Sequence, residues 1–493
     1  MRPLLDHSIS VVEISRLIGI EIDLEPSLTF TGATSTDSDV VEGDLFLAYP
    51  GEKTHGAHFA ARAISQGARA IVTDAQGAKI AEGLPVIVVP HARVAGALIC
   101  ANLYGKPMQE MVSIGITGTN GKTTVSTLLY QLFQEAGREC GLMGTVGTRI
   151  GRDTVASERT TPEADALQAV AATMSERHLR HLVMEVSSHA MVMQRMVGSH
   201  FAMVGFTNLS QDHLDFHHDM ESYFKAKAGL FTLEYADQAF VNIDNDFGLR
   251  LFNECAIPAT SLSRQNPKAN WHFTSITPTA TGTSFTARGV GGILIESSTP
   301  LRGNFNLENI LLVLAIAIEC GIDPLDCAVI LPRLKGAPGR MESIDCGQDF
   351  TALVDYAHTP DAVRNVIASA KEFTSGKVIA VLGCGGDRDS SKRPLMGSAL
   401  SEESGIAIFT SDNPRSEDPT KILDHMTHHL QIADPSRVIA DRREAITYAV
   451  SLCQSGDTLL LLGKGHENGQ EINGQRIDFD DRIVLAQILE GSR

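Results

Sequence analysis

Long apolar runs are missing from this sequence, and none approaches the roughly 18 to 20 residues that a membrane-crossing helix needs. The stretch from Met1 to Ile20 lacks the basic start, apolar run and small-residue cleavage site of a signal peptide. No membrane insertion is expected. The eight cysteines stand singly from Cys100 to Cys453, without a CxxC pair, so neither a zinc framework nor a disulfide scaffold is indicated, and a reducing cytoplasm is the expected location. Positive charge is also short. Lys and Arg total 41 against 59 Asp and Glu, a net charge of −18, which repels a phosphate backbone and argues against nucleic acid as a partner. Internal repeats and low-complexity tracts are absent as well.

The composition that remains, 43% hydrophobic and 20% charged, is that of a globular chain, and 493 residues suggest about three domains. Short apolar runs at Leu45 to Ala48, Ala70 to Val72 and Val86 to Val89, with a helical stretch from Ala57 to Gln66, predict a small α/β module over residues 1–106. The Gly and Pro of YGKPMQ at Tyr104 to Gln109 mark its end. Strand signals at Val112 to Thr117, Leu182 to Val186, Met203 to Thr207 and Phe240 to Ile243 alternate with helical stretches, so residues 107–337 should form a mostly parallel sheet covered on both faces. An antiparallel ribbon is expected at Trp271 to Ile295 and a long helix at Leu307 to Glu319. After KGAPGR at Lys335 to Arg340, runs at Ala352 to Asp355, Val378 to Leu382, Ala407 to Ser411 and Thr458 to Leu462 predict a third α/β domain over residues 338–493. Polar residues follow the last two strands, where open α/β sheets bind ligands.

The strand Val112 to Thr117 runs into GTNGKTT, Gly118 to Thr124. The helix that follows carries Val125, Leu128, Leu129, Leu132, Phe133 and Ala136 on one face, with Gly137 placed to end it. Strand, glycine loop and helix start aim several backbone N–H groups at one point, which favours a phosphate. Lys122 would reach the outer phosphates, and the Thr123 hydroxyl would ligate Mg²⁺. Ile116 occupies the place of the first glycine in GxxxxGK, so the generic pattern fails by one residue, and an ordinary strand-to-helix turn is the bland alternative.

GTNGKTT resembles the ATP loop of the Mur ligases, which build the peptide stem of cell-wall precursors, and of the related folylpolyglutamate synthases. The resemblance continues in a fixed order through TTPEA (Thr160 to Ala164), MEVSSHA (Met184 to Ala190), NLSQDHLDFH (Asn208 to His217) and AKAGLF (Ala226 to Phe231). It then covers GRME (Gly339 to Glu342), DYAHTP (Asp355 to Pro360), GCGGDRD (Gly383 to Asp389), DNPR (Asp412 to Arg415) and GKGHE (Gly463 to Glu467). Within the family the chain looks most like the branch that adds the third residue of the stem. The resemblance implies three domains: a UDP-substrate-binding one, a central P-loop-type ATP-binding one and a Rossmann-like one that brings the amino acid. It implies ATP- and Mg²⁺-dependent addition of meso-diaminopimelate to UDP-N-acetylmuramoyl-L-alanyl-D-glutamate, through an acyl phosphate, by a monomer.

Glu185, at the end of an apolar strand, is costly to bury unless paired or metal-bound; a solvated strand end is the alternative. His213, His217 and His218 fall within six residues, which could also suggest zinc, though cysteine partners are missing; the resemblance assigns His213 to a Mg²⁺ near Glu185. Read from the residues alone, Lys227 is a solvated helix lysine. By resemblance it is the lysine that CO₂ converts to a carbamate, an oxygen ligand for a second Mg²⁺. Further ATP contacts implied by the resemblance are Asn309, Arg340, Asp355 and His358, beside Gly118, Thr119, Asn120, Gly121, Lys122, Thr123 and Thr124. UDP-substrate contacts are Ser38, Thr160, Thr161, Ser187 and Arg195; Met193 stands where some relatives carry Gln. Arg415 offers a planar fork for a carboxylate, with Asp412 and Asn413 for polar groups. In the family DNPR accompanies diaminopimelate, whose distal carboxylate lysine lacks, with Arg388, Gly463 and Glu467 completing the set. A lysine-adding relative, a folylpolyglutamate synthase and, in a different class, a P-loop NTPase switch are the rival readings.

Overall fold

The computed structural model describes residues 2–51, 53–155, 159–279 and 282–491, and the chain divides into two compact units. The first unit comprises residues 1–272, 288–293 and 311–330. It opens with a four-stranded parallel sheet of Gly32–Thr34, Asp44–Leu47, Ala70–Thr73 and Val86–Val88, in that spatial order. The helix Ala92–Leu103 covers it, and its Ile99, Cys100 and Leu103 share a core with Ala169 and Ala172 of the helix Ala164–Glu176. The small module thus rests on the next layer of the same unit through a common apolar core.

The strand Val112–Thr117 lies mid-sheet in the first unit, parallel to His181–Glu185 on one side and to Phe201–Phe206 on the other. Outward from the first neighbour come Cys140–Gly144, Gly147–Ile150 and Asp153–Val155; beyond the second come Ala236–Asn242 and Ala259–Ser263. Register matters here. Glu185 is opposite Ile116 and Phe206 is opposite Thr117, so three strand ends finish level with one another. Apolar side chains on both faces of these strands are buried, as a sheet sandwiched between helices requires.

The second unit comprises residues 273–287, 294–310 and 331–493. Its sheet has the order Glu342–Ser343, Thr351–Asp355, Thr458–Leu462, Val378–Leu382, Ile406–Phe409, Arg437–Val438, parallel apart from the first pair. Helices cover both faces: Val363, Ile367, Met396 and Leu423 pack on one core, and Ile446, Ala449 and Leu485 on the other. The segment expected as a ribbon forms the strands Trp271–Thr279, Gly282–Arg288 and Leu294–Thr299, and the long helix begins earlier than expected, at Asn304. Among the described residues no helix is long and apolar enough to cross a membrane.

Candidate active site

The glycine loop leaves the central strand at Gly118, whose φ of 146° no ordinary residue adopts and whose missing side chain makes room for the Thr207 hydroxyl. The end of the neighbouring strand then pins the loop. Thr119 N donates to Asn208 O at 2.9 Å, Asn120 N to Asn208 Oδ1 at 3.0 Å, and Thr207 Oγ1 to Asn120 O at 2.6 Å. Gly121, left-handed at φ 86°, starts the helix Lys122–Glu135 without a capping side chain, so the first-turn N–H groups face the loop mouth. Lys122 Nζ donates to Gly118 O at 2.8 Å and Thr119 O at 2.9 Å, which holds its ammonium at that mouth. At the far end Gly137, φ 70°, stops the helix, as its placement predicted.

Glu185 is fully buried at the end of the other neighbouring strand. It accepts from Thr123 Oγ1 at 2.9 Å, Thr145 N at 2.8 Å and Thr145 Oγ1 at 3.1 Å. The sequence places Glu185 and Thr123 62 positions apart, and strand register brings them together. A buried carboxylate beside a threonine hydroxyl at a phosphate loop is a hard-oxygen donor set of the kind Mg²⁺ takes. Thr145 was not foreseen, since a threonine after an undetected strand carries no signal of its own.

Lys227 is also buried, contrary to the reading of a lone helix lysine. Its Nζ donates to Gly118 O at 2.8 Å and lies 4.7 Å from the centre of the Tyr223 ring, whose hydroxyl is 3.1 Å from Thr119 Oγ1. Burial, and after it the Lys122 charge, pushes the Lys227 amine well below its ordinary value. His213 has a left-handed backbone, φ 52°, and its ring meets His189 edge-on at 4.8 Å. Partial burial, more than the positive neighbours and against the pull of Asp212, pushes it down to about 4, so near neutrality it is an uncharged imidazole. His217 turns inward to Ser188 Oγ at 2.9 Å, so the three histidines do not converge on one point. Among the described residues no three His, Cys, Asp or Glu side chains are grouped to share a metal.

Thr161, Ser187 and Arg195 form one cluster beside Glu185. Thr161 Oγ1 donates to Glu185 O at 2.8 Å, Ser187 N donates to Thr161 Oγ1 at 3.0 Å, and Arg195 donates to Thr161 O at 3.1 Å while pairing with Glu163 at 2.8 Å. Thr160 Oγ1 is 3.0 Å from Thr145 Oγ1. Ser38 stands exposed in the turn Asp37–Asp39 and donates to Asp39; from the same segment it is Ser35 that reaches Asp165, at 2.7 Å from its backbone N–H.

In the second unit Asp355 ends its strand buried, accepting from Met341 N and Ala357 N at 2.8 Å each; burial raises its carboxyl above the usual range. Arg340 lies over Tyr356 at 4.7 Å, and His358 tilts against the same ring at 4.7 Å. Asn309 is buried in the long helix and donates to Asn306 at 3.3 Å.

The loops after the neighbouring strand ends build another polar cluster. Asn413 donates to Glu467 at 2.8 Å, and the fully buried Lys464 donates to Gly469 O at 2.8 Å and to Glu467 at 3.3 Å. Asp412 is buried, with a raised carboxyl, and Gly463 is left-handed at φ 104°; a Cβ there would come within 2.7 Å of Asp412 Oδ2. Arg415, φ 53°, donates to Gly386 O at 2.6 Å, and Arg388 is exposed on the loop after Leu382. Beneath these loops the buried Arg393 grips Glu417 through two N–H groups, at 2.7 and 2.9 Å. Lys464 belongs to the GKGHE segment and was visible in it; Arg393 lay in no motif.

A glycine loop, a buried strand-end carboxylate beside it and a separate charged cluster over a parallel sheet together define an ATP-dependent ligase of the Mur type. Residues 116–317 match the Mur ligase middle domain, 339–465 the Mur ligase glutamate ligase domain, and 29–102 the Mur ligase family catalytic domain. The chain is 41% identical over 99% of its length to a UDP-N-acetylmuramoyl-L-alanyl-D-glutamate--2,6-diaminopimelate ligase of Streptomyces coelicolor, and covers 98% of that protein. A relative of the same name from Corynebacterium glutamicum is 42% identical over 90% of this chain and 89% of its own. A solved diaminopimelate ligase of that name superposes with a TM-score of 0.71 at 33% identity, covering 98% of this chain and 99% of that one. MurF from Acinetobacter baumannii, at 16% identity and a TM-score of 0.66, shares the fold. The chain belongs to the Mur ligase family.

Proposed function

We propose that the protein is the ligase that joins meso-diaminopimelate to the D-glutamate carboxylate of UDP-N-acetylmuramoyl-L-alanyl-D-glutamate, with ATP converted to ADP and phosphate. One observation carries this reading: the match to diaminopimelate ligases runs over nearly the whole chain, through the DNPR loop that would select the amine. A carboxylate is a poor electrophile. Transfer of the γ-phosphoryl group makes it an acyl phosphate, and the incoming amine then attacks and expels phosphate. Lys122 and the first-turn N–H groups of its helix would steady the phosphates. Thr123 and Glu185 supply the oxygens for Mg²⁺, which when bound offsets phosphate charge. His213, held as a neutral imidazole, and Lys227 would serve a second ion.

For Lys227 the reading is a carbamate. A buried amine kept from protonating is a nucleophile toward CO₂, and the product, formed with release of a proton, sets an anion in place of a neutral amine beside Lys122. Asp355, Arg340, His358 and Asn309, in the second unit, are the further residues read as ATP contacts. Asp412, Asn413, Arg415, Gly463 and Glu467, with Arg388, would hold diaminopimelate, and Ser38, Thr160, Thr161, Ser187 and Arg195 the UDP substrate. Boundaries near residues 106 and 337 are supported by the breaks between the three matched segments.

The test is ADP release with the UDP-dipeptide and each of meso-diaminopimelate, L-lysine and L-glutamate. Turnover with diaminopimelate alone is expected. Turnover with lysine in its place would overturn the role given to Arg415, and ATP hydrolysis with no amide product would favour a simple NTPase.

A further inference from the structure

The strands Thr458–Leu462 and Ile406–Phe409, whose following loops carry GKGHE and DNPR, are not neighbours in the sheet, because Val378–Leu382 runs between them. No ladder hydrogen bond sets the spacing of those two loops. Above the sheet the loops meet directly, through Asn413 with Glu467 at 2.8 Å and Gln470 with Asp412 O at 2.6 Å; beneath them one buried side chain holds the carbonyl at the base of each. Arg442, the first residue of the helix Arg442–Leu452, donates Nη1 to Ser411 O at 3.1 Å and Nη2 to Leu462 O at 2.9 Å, the carbonyls just before Asp412 and Gly463. Its Nε and Nη2 also grip Asp481, at 2.8 and 2.6 Å, and both side chains are fully buried.

A buried ion pair is an expensive way to stabilise a fold, since apolar residues of similar size usually do as well or better. The fork of Arg442 fills another need. One planar group with fixed N–H directions ties two backbone carbonyls to one anchor, with a geometry more rigid than a rotating ammonium gives. Arg442 and Asp481 cancel each other's charge. Above them Asp412 and Glu467 set two carboxylates beside the single buried ammonium of Lys464, and the ammonium of an incoming amino acid is the charge that two carboxylates favour.

We propose that Arg442, oriented by Asp481, is a positioning residue for the amine substrate: it fixes the spacing of the DNPR and GKGHE loops so that Asp412 and Glu467 act on the same ammonium-bearing ligand. The proposal rests on the reading that these loops hold diaminopimelate. Arg442 itself touches no substrate.

The experiment measures KM separately for diaminopimelate, ATP and the UDP-dipeptide in three purified full-length variants: R442M/D481L, R442K and R415A. The double variant replaces the pair with apolar side chains and should melt within about 5 °C of the unaltered protein. Its KM for diaminopimelate should rise about 10-fold or more, from loop misplacement, with the other two KM values unchanged. R442K, with one donor centre in place of three, should show a smaller rise in the same constant. A folded double variant with an unaltered diaminopimelate KM overturns the proposal, as does an equal loss toward all three substrates. If the double variant does not fold, R442K decides: an unaltered diaminopimelate KM overturns the proposal. R415A separates the two levels, because an unchanged diaminopimelate KM there removes the amino-acid site from these loops and the proposal with it.

Discussion

Lys227 carries its chemistry through its surroundings. The amine sits against the carbonyl of Gly118 and the face of Tyr223, away from water, and burial more than the charge of Lys122 disfavours its protonated form. Lys227→Ala should therefore lose activity that added short-chain carboxylates partly restore, measured as ADP release with and without acetate. An equally active variant without acetate would remove the carbamate from the mechanism. Glu185 is of a different kind, fixed by three donors and with no room to move. Glu185→Gln keeps the shape and removes the charge, so kcat should drop by about 100-fold or more, with a small effect on melting temperature. Gly463 tests backbone rather than charge. Alanine there meets Asp412 Oδ2 at 2.7 Å in a left-handed conformation, which should cost roughly 1–3 kcal/mol of stability and raise the diaminopimelate KM, read by thermal melting and initial rates.

At the scale of elements, the strand ends decide where charge can be kept. Asp355 ends a strand of the second unit's sheet and Asp412 lies in the loop three residues beyond another, and burial raises both carboxyls above the usual value of 3.8. The sign follows directly. Their folded-state values lie above the unfolded ones, so the folded chain takes up protons first as pH falls. The stability these two groups contribute is present below the unfolded value and is lost as pH rises through the folded one. Function needs the anions, so activity should fall on the acid side at a higher pH than ordinary aspartates titrate. Asp412→Asn should remove its part of the pH dependence of the diaminopimelate KM; a profile that keeps the same acid limb would exclude Asp412 from amine binding. The strands of this sheet were largely legible, because runs such as Val378–Leu382 and Thr458–Leu462 are continuous, apolar and short. The helix Ala92–Leu103 and the strand Cys140–Gly144 were not. Their alanines, glycines and cysteines carry little periodicity, and their burial is set by neighbours distant in the chain.

At the scale of the whole molecule, the phosphate loop and the acidic site oxygens make a divalent cation the natural partner of a chain with a net charge of −18. Chelation by EDTA should abolish ADP formation and added Mg²⁺ restore it, with the melting temperature changed by less than about 5 °C, because both sheets are held by apolar cores rather than by an ion. Activity that survives chelation would count against the roles of Thr123 and Glu185. By itself the sequence determined the α/β class, the phosphate loop with its helix and its stop at Gly137, and a family membership legible in motifs from Thr160 to Glu467. Those features are local, written in spacing and residue type within a few turns of chain. Only the tertiary structure decided that Lys227 is buried, that Glu185 meets Thr123 and Thr145, and that Arg442 joins the segments following two strands that are not neighbours in the sheet. Such contacts depend on strand order and register, which bring together residues far apart in the chain, and no local pattern encodes them.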